Sequence, residues 1–208
     1  MSIQKISRWY ESNLIARILV NAIPTIGGSL DVALSSKWDK IQKKRADDLL
    51  QKLEMELADL KEQMLDKNML ESEEFFDLVY EIARMAISNR CPEIRTASAR
   101  VLKASISKKE KIVNLEDLVR QMSDFHEKDI VFLRGVKRLF DEEQKVMGST
   151  LSAEVSEYGS SPIDCEIQLY RFEAMGLLDH PRNMLCGRGL MSFEKMPLFD
   201  KMVSYLGI

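Results

Sequence analysis

Apolar residues spaced three and four apart recur through most of this chain, and that spacing commits it to a helical fold. From about Ser36 to Asp66 the apolar positions are Trp38, Ile41, Leu49, Leu53, Leu57, Leu60 and Met64. The later ones step by four and three, which draws one stripe along a helix, and Lys and Asp/Glu between them supply a solvated face. Ser72 reads as the N-cap of a second helix, with Glu73 and Glu74 in the first turn, where the helix dipole favours anions. That helix is expected to turn Phe75, Phe76, Val79, Ile82, Ala83 and Ala86 inward. Pro92 suits the first turn of a third, with Ile94, Ala97, Val101 and Leu102 on one side. The small residues Ala97, Ser98 and Ala99 allow close helix approach.

The polar, basic stretch 105–114 reads as a join between two parts. Beyond it, helical patterns run over about Leu115–His126 and Asp129–Gln144. Residues 147–161 form a Ser/Gly-rich loop. Pro162 then opens a short helix that Gly176 ends. Leu177-Leu178 and Leu190 to Phe193 read as short extended runs, with Cys186-Gly187-Arg188-Gly189 as the turn between them. A last helix spans Pro197 to Tyr205.

This order, with the phrase Leu169-Tyr170-Arg171-Phe172-Glu173-Ala174-Met175-Gly176-Leu177-Leu178, resembles a winged-helix domain over about residues 115–208. The resemblance implies a three-helix core with a hairpin wing. Many members bind DNA with the third helix in the major groove. Here that helix carries Asp164, Glu166 and Glu173 against Arg171 alone, and carboxylates repel phosphates. Arg182 and Arg188 are the candidate wing contacts. The N-terminal part is similar to prokaryotic helical-bundle proteins that bring no established activity with them. It shares with them an apolar Gly-containing start, a long charged helix and a Glu-Glu-Phe helix start.

The formal net charge of -3 supplies no cationic field to attract nucleic acid. The charge is unevenly divided: 19 Lys+Arg face 17 Asp+Glu in residues 1–114, and 11 face 16 in residues 115–208. Cys91, Cys165 and Cys186 are far apart, and His126 and His180 stand at no metal-ligand spacing from them. No nucleophile elbow surrounds a serine, and the adjacent pairs Asp47-Asp48 and Glu73-Glu74 diverge around a helix rather than converge. The expectation is a protein without catalytic residues, metal or cofactor. Lys5 and Arg8 imitate a secretion signal, but Glu11 and Arg17 interrupt it, so a reduced, cytoplasmic setting is expected.

The apolar segment 14–34 contains the stretch Asn21-Ala22-Ile23-Pro24-Thr25-Ile26-Gly27-Gly28-Ser29-Leu30. Gly27-Gly28-Ser29 lacks the lysine and the preceding strand that a phosphate loop requires. Arg17, Pro24, Gly27, Gly28 and Asp31 oppose a spanning helix. The segment is expected to be a bend between two core helices, with a membrane-inserting or oligomer-forming segment as the alternative. On that alternative Ile23, Pro24, Ile26, Gly27, Gly28 and Leu30 are the candidate membrane or partner contacts. The basic cluster Lys37, Lys40, Lys44 and Arg45 directly follows and is the candidate docking site for an anionic surface, making the protein peripheral to a membrane.

The expectation is a mainly α protein in two parts. Residues 1–110 form an antiparallel helical bundle, and residues 115–208 a winged-helix-like unit with one small β-hairpin. Its leading function is non-enzymatic protein interaction or scaffolding, with a protein partner or homo-oligomer. A membrane-acting effector using segment 14–34 and a winged-helix DNA-binding regulator are the alternatives.

Overall fold

The computed structural model describes residues 32–58, 60, 64–108, 115–142, 145–147, 161–179 and 192–208. Among them the chain is mainly helical, with one small antiparallel sheet. It divides into two compact units, Met1–Asp124 and Phe125–Ile208.

The first unit contains α1 (Val32–Leu57), α2 (Lys67–Leu70), α3 (Glu73–Ser88), α4 (Pro92–Ile106) and α5 (Leu115–Ser123). Helix α3 begins as its sequence dictates: Ser72 Oγ accepts a hydrogen bond from the Phe75 backbone N–H, and Glu73 and Glu74 occupy the first turn. Its buried residues Phe75, Leu78, Val79, Ile82, Ala83, Met85, Ala86 and Ile87 face the core of the unit. Phe76 is a correction to the expected inward set, being 46% exposed with Tyr80 at 40%. The reason is angular. Adjacent residues lie 100° apart on a helix, so Phe75 takes the core arc and Phe76 falls outside it, one turn before Tyr80.

Helix α4 starts on Pro92, whose missing N–H costs nothing at that position. Asn89 Oδ1 accepts from the Cys91 N–H at 2.9 Å and forms the turn between α3 and α4. Ala97, Ser98, Ala99 and Ala104 are buried, and both α1 and α3 pack on α4. Small side chains permit that close approach, as the sequence suggested. The buried Ser98 hydroxyl is satisfied by donating to Ile94 O at 2.7 Å.

Helix α1 buries Leu49 and Leu53 of the stripe read from the sequence, together with Ala46, but Ile41 lies off that arc and is exposed. The helix ends at Leu57 rather than continuing to Asp66. After it, Asp66 N–H donates to Ile106 O at 2.8 Å and Lys108 N–H to Met64 O at 3.0 Å, fastening the approach to α2 onto the end of α4. Two sets of ion pairs fix the direction of α1. Asp48 meets Arg95, and two turns later Glu56 meets Arg100 at 2.9 Å and Lys103 at 3.4 Å. Thus α1 runs beside α4 in the same sense, while α3 and α4, joined by the turn at Asn89, run antiparallel. Helix α5 packs on α3 and α4 through the side that buries Leu118, Val119 and Met122. It thereby belongs to the first unit, although its sequence position placed it with the second part.

The second unit contains α6 (Glu127–Glu142), β1 (Lys145–Met147), α7 (Pro162–Ala174), β2 (Leu178–Asp179), β3 (Ser192–Lys195) and α8 (Pro197–Leu206). The sheet order is β1-β3-β2, with both pairings antiparallel. Leu178 lies opposite Lys195 and Asp179 opposite Glu194, so the two expected extended runs do pair. Strand β1, with Val146 opposite Phe193, is an addition to the expected hairpin. Phe172 on α7 organises the core of this unit. Its ring lies 5.9 Å from Phe125 and 5.3 Å, edge-on, from Phe132. Phe140 and Phe199 make a second edge-on pair at 5.7 Å.

Both ends of α7 are sealed locally. At its C-terminus Gly176 adopts φ 69°, its N–H donates to Glu173 O, and the Leu177 N–H reaches back to Phe172 O at 2.9 Å. This is a Schellman closure, and it needs a residue without Cβ strain at Gly176. At the N-terminus Ser161 and Asp164 form a capping box. The Ser161 hydroxyl and backbone N–H both donate to the Asp164 carboxylate, and those bonds hold its carboxyl below the ordinary carboxylate range. A carboxyl lowered in the folded state stabilises the protein above its unfolded value. That contribution is lost as pH falls through the folded value. Ser161→Ala is therefore expected to lower the urea midpoint at neutral pH. Its deficit relative to wild type should shrink as pH falls below about 4. A deficit independent of pH would contradict the box.

Candidate functional site

The residues Ile23, Pro24, Ile26, Gly27, Gly28 and Leu30 lie outside the described residues, as do Arg182, Arg188, His180 and Cys186. Lys37 belongs to α1, and Lys40 and Lys44 are exposed on it. Arg45, read from the sequence as part of the same docking cluster, has a different setting. Its guanidinium donates to Ile87 O at 2.8 Å and Ser88 O at 2.9 Å, the last carbonyls of α3. These carbonyls have no intrahelical donor, and the negative end of the helix favours a cation there. Partial burial, followed by the nearby Arg95 and Arg90 charges, lowers the Arg45 pKa from its usual value.

Arg95 completes this junction. It is 7% exposed, donates to Asn89 O at 3.1 Å, and its Nε–H bonds the Asp48 carboxylate. Asp48 also pairs with Lys52 at 3.4 Å. One arginine from α1 and one from α4 thus close the C-terminus of α3. Outside them lies an open depression on the outer face of α1, lined by Ile41, Lys44, Arg45, Asp47, Asp48 and Gln51 together with Arg95.

In the second unit the functional question rests on α7. Its lone cation, Arg171, donates to Asp129 Oδ1 at 2.7 Å. Asp129 is 1% exposed, and its other oxygen accepts from the His126 backbone N–H at 2.6 Å, so the carboxylate also caps α6. His126 itself is exposed, with Nδ1 3.5 Å from that oxygen. On the outer side of α7, Ile167 is 58% and Tyr170 41% exposed. Asp164 is exposed and Glu166 and Glu173 are half-buried on the same helix.

Cys91 and Cys165 are buried thiols outside any disulfide. Burial first, and then the Asp164 charge, push the Cys165 thiol pKa up, which keeps it protonated and a poor nucleophile. Among the described residues no three His, Cys, Asp or Glu side chains gather to hold a metal ion. Among them, too, no helix is long and apolar enough to cross a membrane.

Chemically, this arrangement leaves large apolar side chains exposed on two helices. The paired apolar side chains on α3 and α7 stand out on sides bordered by carboxylates. Sequence spacing hid Phe76 because it adjoins Phe75. The signal that could have found it is Tyr80, which with Asp77 and Glu81 marks an outward arc. Comparison with known proteins found no match: no family model, no curated protein and no solved structure matches this chain.

Removing Arg95 as Arg95→Met keeps most of its packing but leaves Asn89 O without its arginine donor and Asp48 with Lys52 alone. The expected cost is about 2–3 kcal/mol in urea unfolding. Lys52→Met, which removes only a solvated ion pair, should change stability by less than about 0.5 kcal/mol. Equal losses for the two would contradict the junction.

Proposed function

We propose that this chain is a non-enzymatic interaction or scaffold protein of the cytoplasm whose helices bind protein surfaces. The carrying observation is the pair of apolar side chains one turn apart on the outer side of two helices, Phe76 with Tyr80 on α3 and Ile167 with Tyr170 on α7. Large apolar and aromatic groups exposed together favour protein contact, where such residues dominate binding energy.

The winged-helix resemblance enters this reading as a protein-binding module. Helix α7 is the element such a domain would lay in the major groove. Its one arginine is engaged by Asp129, and its remaining charges are Asp164, Glu166 and Glu173. A surface of that sign repels phosphates and suits a partner with apolar and basic groups. This supports protein contact over DNA binding.

Light scattering coupled to size exclusion should find the full chain in an oligomer or bound to a co-purifying protein. A gel shift with mixed-sequence duplex DNA at low salt should show no retardation. A strict monomer that co-purifies with nothing would contradict the reading, as would DNA retardation at low salt.

A further inference from the structure

We infer that the partner is a second copy of this chain, bound head to tail, with the outer face of α3 on one copy seated against the outer face of α1 on the other. The inference rests on the interaction reading above and names its surfaces.

The α3 face is aromatic and acidic. Phe76 and Tyr80 stand one turn apart, and the exposed Glu73, Asp77 and Glu81 border them, with Arg84 the cation further along the same line. The α1 face is apolar and basic. Ile41 and Met55 are exposed, Met55 at 70%, and Ile41 sits in the depression beside Lys44 and Arg45. Lys40 is exposed beside it, whereas Lys43, also exposed, falls two residues on toward the other side of the helix. Two anions of this region, Asp39 and Asp47, are exposed as well; Arg45 is already held by the end of α3, and on the side of Ile41 the cations Lys40 and Lys44 outnumber Asp47. Asp48 adds no free negative charge because Arg95 and Lys52 already pair with it.

These two faces complement each other and not themselves. An α3–α3 contact would oppose carboxylates to carboxylates, and an α1–α1 contact would oppose lysines to lysines. Like-charge juxtaposition penalises both symmetric pairings, so the favoured contact is heterologous. In it, Phe76 and Tyr80 cover Ile41, while Asp77 and Glu81 approach Lys40 and Lys44. Both faces lie on the same unit, so each copy presents one donor face and one acceptor face. Such a contact closes as a ring or propagates as a row.

Sedimentation equilibrium on the full chain tests this with two double variants. Phe76→Ala/Tyr80→Ala removes the α3 face, and Lys40→Glu/Lys44→Glu reverses the α1 face. All four residues are exposed, so circular dichroism melts should match wild type; Asp77→Lys serves as a second α3-face variant. Wild type is expected to associate, several-fold more weakly at about 500 mM than at about 50 mM salt. Each variant should weaken association by roughly tenfold or more. An equimolar mixture of the two double variants should form a heterodimer that stops at two chains, because one good face remains on each. Variants that assemble like wild type, or a mixture that fails to combine, would overturn the inference. A monomeric wild type that co-purifies with a different protein would overturn it and leave the interaction reading intact. A monomer without any partner would overturn both.

Discussion

Two arginines from different helices share the C-terminal end of α3, and the first unit is organised around that junction. A helix terminus leaves carbonyls that must find donors, and the negative end of the dipole prefers a cation. Arg45 from α1 and Arg95 from α4 meet both demands together. Asp48 then ties the two helices to each other through Arg95. With Glu56 bound to Arg100 and Lys103 further along, the direction and register of α1 against α4 are set by charge as well as by apolar packing. Apolar surface alone is non-directional and would tolerate sliding.

The same logic recurs in the second unit with the signs exchanged. A buried carboxylate, Asp129, caps the start of α6 and is neutralised by Arg171 from α7. Burying one charge without the other would be strongly unfavourable, so the pair fixes how α6 and α7 meet. In the first unit Arg45, a cation that sequence inspection assigns to an external anion, is held by a helix end, and in the second Arg171, the lone cation of α7, is held by an internal carboxylate. The proposed function follows in part from this. Once Arg45 and Arg171 are engaged internally, the outer faces are distinguished by Phe76, Tyr80, Ile167 and Tyr170.

Much of the helical architecture was legible because its signals are local. Ser72, Pro92 and Pro162 start helices where their chemistry suits a first turn, and Gly176 ends one at positive φ. The stripe of α1 was legible from Leu49 onward. Non-local features were not. Strand β1 exists through its pairing with β3, far away in sequence, and its three residues carry no period of their own. Phe76 reads as core until the burial of its neighbour Phe75 decides which way the helix rolls. Helix α5 was assigned by its place after a polar join, whereas its packing on α3 and α4 decides its unit. The candidate surfaces were the least legible, because charge in a sequence does not disclose which cations are already paired.

The role of the arginine junction is most directly tested by native-state hydrogen exchange, which resolves stability segment by segment. If Arg45 and Arg95 bind α1 into one cooperative body with α3 and α4, amides from Ala46 to Leu53 should exchange in the same slow class as those of α3 and α4. In Arg95→Met the α1 amides should move to a faster class ahead of the rest. Amides of α1 that exchange at the rate of a fraying terminus in wild type, while α3 and α4 stay protected, would contradict that role.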